Sequence, residues 1–424
     1  MAVAVTEVCS HGKQRSLPVG CGSEFLSRFF ARVIAYAYSY RGRKPLPQLF
    51  CIALLVLIGL RVAHAAVLPE DRADALYHSY DGGGVEINGP SILVRKSIGK
   101  KTSVSGNYYV DSISSASIDV VTTASPYTEK REEKSASVDY LHEDTILSAG
   151  YTLSDENDFT ARSVHFNFSQ QTFGDLTTVN MGYSRGWDEV GTLNSSEFDE
   201  TDRQQYRISV SQILSKNSVI NFGWETVTDE GEKLNNPYRQ VRYVNVDSEN
   251  GRGYSYQLER YPQTRTSHAV SIQGKYFLAH RAALHGEFRY FRDTWGITAF
   301  NLEFGYTHPL DARWVFDVSY RFYRQQQADF YSDLYPFVDA QNYLARDKEL
   351  STFSDHSLGL GVAYEFTQGT WSWIKKGTLN LKYNYILFSY DNFRDLRAEG
   401  YAVGAEPLYS FNAHVVQIFA SIWY

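Results

Sequence analysis

The 424-residue sequence has no cysteine after Cys51, only two methionines, and no apolar run long enough for a membrane-spanning helix. A helical span needs about 20 consecutive apolar residues, so a protein with several membrane-spanning helices is excluded. The three cysteines are Cys9, Cys21 and Cys51, so the remainder of the chain has no disulfide framework. A glycine period and a sustained heptad repeat are also missing, which excludes collagen and coiled coil.

Aromatic residues make up 15% of the chain, with 32 Tyr and 25 Phe, and this composition excludes a disordered protein. The formal net charge is −7, but it is unevenly spread. Residues 1–65 hold eight basic and two acidic side chains, a balance of +6, which leaves −13 for the remainder. Nucleic-acid affinity comes from neutralising phosphates, so we expect no nucleic-acid partner for this acidic body.

Residues 1–65 have the pattern of an N-terminal extension followed by a secretory signal peptide. A basic segment, Arg41 to Lys44, precedes an apolar run at 49–60, and Ala63 and Ala65 supply small residues at the −3 and −1 positions. A membrane anchor or a buried helix is the alternative, but the run is short for a span. We expect cleavage after Ala65, export, and a mature domain at 66–424.

The mature part alternates apolar and polar residues with a period of two. In 378–388, one face holds Leu379, Leu381 and Leu387, and the other holds Asn380 and Asn384. Successive side chains of a strand point to opposite faces, so each segment predicts a strand with one apolar and one wet face. The fold class is therefore all-β.

Strand length separates a soluble β fold from a transmembrane antiparallel β-barrel. Strands of globular proteins average about five or six residues, whereas tilted membrane strands need about 9 to 11. Most segments here are long, and the aromatic residues near their ends predict interfacial girdles: Tyr108, Tyr183, Trp187, Trp224, Tyr276, Trp295 and Trp314. We find no fixed repeat that would indicate a solenoid or propeller, and the barrel is favoured.

The breaks between segments predict about 16 strands, an even number typical of outer-membrane barrels. They are placed at 74–81, 85–97, 102–112, 131–141, 145–153, 159–170, 175–187, 203–214, 218–229, 264–278, 282–292, 296–307, 312–325, 354–367, 376–391 and 409–424. Tight turns alternate with longer links near 113–130, 188–202, 230–263, 326–353 and 392–408. We interpret the longer links as external loops, with both ends of the barrel domain in the periplasm.

The last predicted strand carries Ile418, Ile422 and Tyr424 on one face and ends on an aromatic residue. This pattern resembles the signal that the outer-membrane assembly machinery reads. We therefore expect that machinery to be a partner, together with outer-membrane lipid and lipopolysaccharide.

Alternation also predicts a lumen charge band on three successive strands, formed by Glu287, Arg289, Glu303, Asp317 and Arg321. Such a band could select ions or small polar solutes. Alternatively, opposite charges on neighbouring strands satisfy each other in a narrow or plugged interior. Arg207, Glu225, Lys275 and Lys382 add further lumen charges, so the signs are mixed and predict no preference for anions or cations.

Motifs for catalysis, metal binding or cofactor binding do not occur. The sequence contains no G-x-S-x-G, no H-E-x-x-H, no glycine-rich phosphate loop and no calcium-loop spacing. We expect no enzymatic activity, no catalytic residue, no metal site and no cofactor.

Two segments resemble a known family. The run Asp111, Ser112 and onward to Ser117, and the run Asn236, Pro237, Tyr238, Arg239 and onward to Arg242, are similar to segments of the family called domain of unknown function 3570. The resemblance covers about 66–424 and implies an outer-membrane β-barrel of Gram-negative bacteria. It implies no activity, and we interpret the two motifs as loop anchors.

Two functions remain open. The first is a pore or channel for small polar solutes or ions, which a barrel of about 16 strands can enclose. The second is a non-conducting surface, maturation or assembly module whose long external loops bind another protein or fold into the lumen. The protein partner in that case is unknown.

Overall fold

The protein was analysed as a computed structural model that describes residues 66–115, 127–191, 198–232, 234, 238–248, 251–367 and 373–424. The predicted signal peptide, the proposed cleavage site and Pro237 lie outside these residues. Among the described residues, no helix is long and apolar enough to cross a membrane.

Sixteen antiparallel strands form one closed barrel, which confirms the predicted fold class and strand count. The first nine strands of the chain are β1 Arg72–Gly82, β2 Val85–Ile98, β3 Thr102–Ser115, β4 Tyr127–His142, β5 Thr145–Asp155, β6 Phe159–Thr172, β7 Thr177–Val190, β8 Asp199–Ser215 and β9 Ser218–Gly231. The remaining barrel strands are β12 Thr264–Phe277, β13 Ala283–Asp293, β14 Thr298–Pro309, β15 Trp314–Gln325, β16 Phe353–Thr367, β17 Lys376–Arg394 and β18 Leu408–Trp423.

Two further strands, β10 Gln240–Val244 and β11 Tyr254–Leu258, form a separate hairpin between β9 and β12. The sequence predicted only a long link at 230–263, so this hairpin corrects the prediction. Gly251 and Gly253 in the turn have φ of +66° and +74°, conformations that glycine adopts without strain. Short 3₁₀ helices lie at Ala279–Arg281 and Lys348–Leu350.

The barrel closes between its first and last strands. β1 pairs with β18 from Arg72 opposite Trp423 to Gly82 opposite Ala413, and every other barrel strand pairs with its chain neighbours or, for β9, with β12. Because consecutive strands are antiparallel, the links at 232–263, 326–352 and 395–407 all lie at the end of the barrel opposite Arg72 and Trp423. We call this the external end, because outer-membrane barrels carry their long loops outside.

The outward face is apolar, as the alternation predicted. Large side chains stand exposed around the wall, among them Leu147, Phe166, Phe222, Phe304, Phe316, Leu360 and Leu381. The predicted girdle residues Tyr108, Trp187, Trp224, Tyr276 and Trp314 are exposed as well. Trp295 is not a girdle residue: it is 5% exposed and lies in a buried cluster at the external end. Its segment turns inward between β13 and β14 instead of facing lipid.

Candidate functional site

The lumen wall is lined by polar side chains that rest against glycines on neighbouring strands. The ring of His165 occupies the space beside Gly150, where an added Cβ would lie 2.2 Å from Nε2. His285 lies in the same way over Gly305, with Cε1 at 2.0 Å from such a Cβ. These glycines let the imidazoles lie along the wall, so the side chains line the lumen without filling it.

A first group of lumen charges spans β8, β9 and β13. Arg207 Nε donates to Glu225 Oε2 at 2.9 Å, and Arg289 Nη2 donates to the other oxygen, Oε1, at 2.9 Å. Arg289 reaches Glu225 across β12, where Ala269 and Ser271 are the residues beside them in the ladder. Small side chains on β12 therefore allow one glutamate to hold two arginines.

A second group lies on β13, β14 and β15. Glu287 and Glu303 stand directly opposite each other in the ladder, and Gln273 Nε2 donates to Glu287 Oε2 at 2.8 Å. His285 Nε2 lies 3.9 Å from Glu303 Oε1. Asp317 accepts a hydrogen bond from Thr307 Oγ1 at 2.7 Å. Carboxylates therefore predominate in this part of the wall.

Arg321 is opposite Glu303 in the ladder but is engaged elsewhere. Its Nη2 donates to Asp355 Oδ1 at 3.0 Å, on β16. Asp355 was missed by the sequence reading, although Ser357 and Gly359 two and four positions later mark the same polar face. The structure thus places all five predicted band residues on the lumen face. It also adds Asp355 to the charged residues that were predicted to line the lumen.

Two arginines of the lumen wall remain exposed although they are paired. Side chains of Arg207 and Arg289 are 61% and 40% exposed although both are paired with Glu225. Arg207 and Arg289 therefore pair with Glu225 and still remain accessible from the lumen.

At the external end, the three long links pack together into a structure that we call the cap, formed by the described residues of 232–263, 326–352 and 395–407. Backbone hydrogen bonds join the links: Val244 N donates to Tyr335 O at 2.9 Å, and Arg260 N donates to Leu344 O at 2.9 Å. Tyr335 therefore pairs with Tyr243 on β10, and Leu344 pairs with Arg260, which follows the end of β11.

One arginine joins all three links of the cap. Arg242, on β10, is 0% exposed and donates to both carboxylate oxygens of Glu406, at 2.6 and 3.1 Å. The same guanidinium donates to Asp333 Oδ2 at 2.5 Å and to the Asp333 carbonyl oxygen at 2.9 Å. A planar fork that satisfies two carboxylates and a carbonyl fixes the relative position of the three segments.

A second buried arginine extends this contact to the barrel. Arg346 donates to Asp333 Oδ1 at 3.1 Å and to the carbonyl oxygen of Arg394, at the end of β17, at 3.0 Å. Its guanidinium lies 4.3 Å from the centre of the Phe393 ring. We call Arg242, Asp333, Arg346 and Glu406 the cap network.

Aromatic residues attach the cap to one side of the barrel mouth. Phe353 packs against Tyr390 at 5.3 Å between ring centres, and Phe388 stacks on Phe411 at 4.5 Å. These side chains alternate with outward residues such as Leu387, so they point inward at the external ends of β16, β17 and β18. Buried cap residues, including Phe330, Tyr331 and Leu350, belong to the same cluster. The cap therefore narrows the mouth from the β13–β18 side.

Glu259 is a buried carboxyl group inside the cap. It is 5% exposed and accepts hydrogen bonds from the backbone N–H of Arg346 at 2.7 Å and from the Tyr261 hydroxyl at 2.8 Å. Burial and the nearby charge of Asp347 raise the pKa of Glu259 to about 7, against the opposing effects of the Arg346 amide, the Arg239 charge and the Tyr261 hydroxyl. Its protonation state therefore changes near neutral pH.

The two predicted motifs lie in different places. Asp111 is buried on the lumen face of β3, where its Oδ1 is 2.7 Å from His78 Nε2, and the Tyr109 ring stacks on His78. Ser112 is exposed on the opposite face of the strand. His78 stands opposite Gly89 on β2, which leaves room for the imidazole to reach across β2 to Asp111 on β3.

In the second motif, Tyr238 and Arg239 both make contacts within the loops. The Tyr238 hydroxyl donates to Asp158 Oδ2 at 2.5 Å, in the link between β5 and β6, and Arg239 forms an ion pair with Asp347. Arg242, the last residue of this motif, is the one that holds the cap network. The predicted motif included Arg242, but only Pro237, Tyr238 and Arg239 were selected from it as candidate residues.

The final strand carries the predicted assembly residues. Ile418 and Ile422 lie on one face of β18, with Ile418 exposed, and Tyr424 follows the strand. The Tyr424 hydroxyl donates to the carbonyl oxygen of Arg95 on β2 at 2.9 Å, and Lys96 Nζ lies 4.8 Å from the Tyr424 ring centre. Tyr424 thus reaches past β1 at the seam of the barrel.

The sequence profile of the family described as "Protein of unknown function (DUF3570)" matches residues 117–418. The chain belongs to this family. The match includes the 236–242 segment but begins at the last residue of the Asp111–Ser117 segment, so it is narrower than the predicted 66–424. The family description names no function, and the fold of this member is the closed sixteen-stranded β-barrel described above.

Several solved structures match this chain at low sequence identity. A bacterial polysaccharide outer membrane secretin matches with 9% identity and a TM-score of 0.46, covering 84% of this chain and 100% of its own. OmpT of Vibrio cholerae matches with 10% identity and a TM-score of 0.39, covering 85% and 100%. A FadL homologue of Pseudomonas aeruginosa matches with 7% identity and a TM-score of 0.39, covering 83% and 90%. No curated protein shows significant sequence similarity to this chain.

Proposed function

We propose that this protein is an outer-membrane pore for small polar solutes or ions, narrowed at its external mouth by the cap. The observation that carries the proposal is the exposure of paired charges inside a closed barrel, above all Arg207 and Arg289. Charged groups that remain in contact with water across the membrane-spanning wall are what a conducting lumen requires. The glycine-backed polar residues of the wall support the same function.

The test is conductance of the purified, refolded protein in a planar lipid bilayer. We expect stepwise currents, because the lumen wall holds hydrated charges along its length. The Arg289→Ala variant should change the single-channel conductance, and Lys382→Gln, on the far strand β17, serves as a control for removal of a lumen charge elsewhere. Silence across a wide voltage range, from protein whose heat-modifiable gel migration proves a folded barrel, would contradict the proposal.

We also propose that the outer wall contacts lipopolysaccharide and that the assembly machinery reads β18 through Ile418, Ile422 and Tyr424. The exposed apolar wall and the position of Tyr424 at the barrel seam support these two partners. Replacing Tyr424 with Ala should slow the appearance of folded barrel in an assembly assay, with Ser410→Ala, on the same strand, as the control. Equal rates for the two variants would contradict the role of Tyr424.

A second function, a surface module that binds another protein through the cap, has one observation in its favour. Apolar side chains are exposed on the cap, among them Val246, Leu258, Phe337 and Val338. Exposed apolar patches are typical of interaction surfaces, and Phe337 and Val338 are adjacent in the chain. The bilayer measurement separates the two functions, since a folded but silent barrel leaves only the surface module.

A further inference from the structure

The lumen wall carries positive and negative groups side by side on neighbouring strands. The two signs are not evenly mixed: two arginines lie together in one part of the wall, and two glutamates lie together in another. We define the positive pole as Arg207 and Arg289, and the negative pole as Glu287 and Glu303.

The positive pole has two guanidinium groups and one carboxylate between them. Glu225 accepts from both arginines at 2.9 Å, so the group retains one excess positive charge. Both arginines are substantially exposed to the lumen, and each guanidinium has further N–H groups besides the one bound to Glu225.

The negative pole begins two residues away on the same strand. Glu287 and Glu303 are a directly opposed pair of like charges, an arrangement that is unfavourable without compensation. Arg321, which stands opposite Glu303, is bonded to Asp355 at 3.0 Å. The contacts of the two glutamates are an amide, Gln273, and an imidazole, His285, at 3.9 Å from Glu303.

We propose, building on the proposed pore function, that these poles form a subsite for zwitterionic solutes such as amino acids and short peptides. The carboxylate of the solute binds at Arg207 and Arg289, and its ammonium group binds at Glu287 and Glu303. Alternate residues of a strand are roughly 7 Å apart, a spacing close to the separation of the charged ends of a dipeptide. A solute with a single charge is attracted by the pole of opposite sign and repelled by the other pole.

The test measures two properties of the reconstituted protein. The first is the reversal potential in a KCl gradient, which should be near zero for the unsubstituted protein because both signs are present. Arg289→Gln should shift it toward cation selectivity, and Glu303→Gln should shift it toward anion selectivity. Lys382→Gln, which removes a positive charge from β17, should produce a smaller shift than Arg289→Gln.

The second property is the rate of liposome swelling with diglycine, compared with acetate, methylammonium and a neutral sugar of similar size. We expect diglycine to enter fastest, and each pole variant to lose this advantage by about threefold, the effect of one partly exposed charge contact. Lys382→Gln should retain it. Heat-modifiable migration of each variant verifies that the barrel is folded.

The outcomes separate the inference from the pore itself. The subsite would be overturned, and the pore would remain, if the protein conducts but diglycine enters no faster than the other solutes. The same conclusion would follow if Arg289→Gln and Glu303→Gln shift the reversal potential in the same direction. A silent unsubstituted protein would overturn both.

Discussion

The cap network and the lumen charge band are built from the same residue types, and they differ in how much water reaches them. Arg242 in the cap is 0% exposed, whereas Arg207 in the lumen is 61% exposed although its distance to a carboxylate is similar. A buried guanidinium has no alternative partner in solvent, so it acts as a structural link. An exposed one can exchange its partner for water or for a passing solute. Burial therefore gives the cap network a structural role, and it leaves the lumen charges accessible for the recognition that we propose.

The largest expected effect is on the cap. Replacing Arg242 with Met leaves Asp333 and Glu406 without their shared partner, and breaking a buried ion pair costs about 3–5 kcal/mol. We expect the three links to separate while the barrel remains folded, because Arg242 lies in the β10–β11 hairpin and not in a barrel strand. Amide hydrogen exchange of β10 and protease cleavage of the loops would detect the change. Unaltered protection of β10 would show that the aromatic cluster alone holds the cap.

The second prediction concerns pH and Glu259. Its pKa is about 7 in the closed cap and has an ordinary value of 4.5, so the closed cap binds the proton more tightly. The resulting stabilisation is complete below pH 4.5 and is lost as the pH rises through 7. Between pH 5.5 and pH 8.0 we expect the opening equilibrium of the cap to rise about 30-fold.

Hydrogen exchange at the backbone amide of Arg346, corrected for intrinsic rates, measures this opening. The Glu259→Gln variant should remain closed at both pH values, because its amide is neutral. The cap links contain no histidine at 232–263, 326–352 or 395–407, so the variant isolates one group. A pH response that persists in Glu259→Gln would place the titrating group elsewhere.

An intermediate effect is expected for Asp111, which lies on the lumen wall but is buried. Asp111→Ala removes the 2.7 Å contact with His78 and leaves the imidazole without that partner. We expect a loss of about 1–3 kcal/mol in the free energy of unfolding, measured by guanidinium titration. Ser112→Ala, exposed on the other face of β3, is the matched control. Equal effects of the two substitutions would mean that burial on the lumen wall does not matter.

The smallest effect on stability is expected for Arg207. Its exposed contact with Glu225 contributes about 0–1 kcal/mol, so Arg207→Ala should unfold at nearly the same denaturant concentration as the unsubstituted protein. Single-channel conductance should nevertheless change, because a hydrated charge leaves the lumen. A large loss of stability would mean that the exposed Arg207 stabilises the fold as much as the buried Arg242 does, contrary to this prediction.

Period-two alternation was sufficient to predict the barrel, because each strand has lipid on one side and water on the other. All sixteen predicted strands exist, and even 74–81, which is followed by three glycines at 82–84, is part of β1. The lumen position of residues such as Arg289 and Glu303 follows from the same alternation. Their partners across strands, such as Asp355 for Arg321, depend on register, which a sequence does not state.

Period-two alternation could not predict the cap. β10 and β11 are five residues each, too short for a strong periodic signal, although Val241, Tyr243 and the glycines at 251 and 253 indicate a hairpin. Arg242 gave no sign of its role, because Glu406 and Asp333 come from distant links. Trp295 was misplaced for the same reason: its environment is made by other loops.

The separation of the cap partners along the chain also sets an order of folding. Arg242 and Glu406 are 164 positions apart, and the link that carries Glu406 connects the last two strands. Bringing such distant residues together is entropically costly until the strands between them are paired. We therefore expect the contact between Arg242 and Glu406, which completes the cap, to form only when β17 and β18 are in place. A barrel whose folding stops before β18 is added would consequently lack the complete cap at its external end.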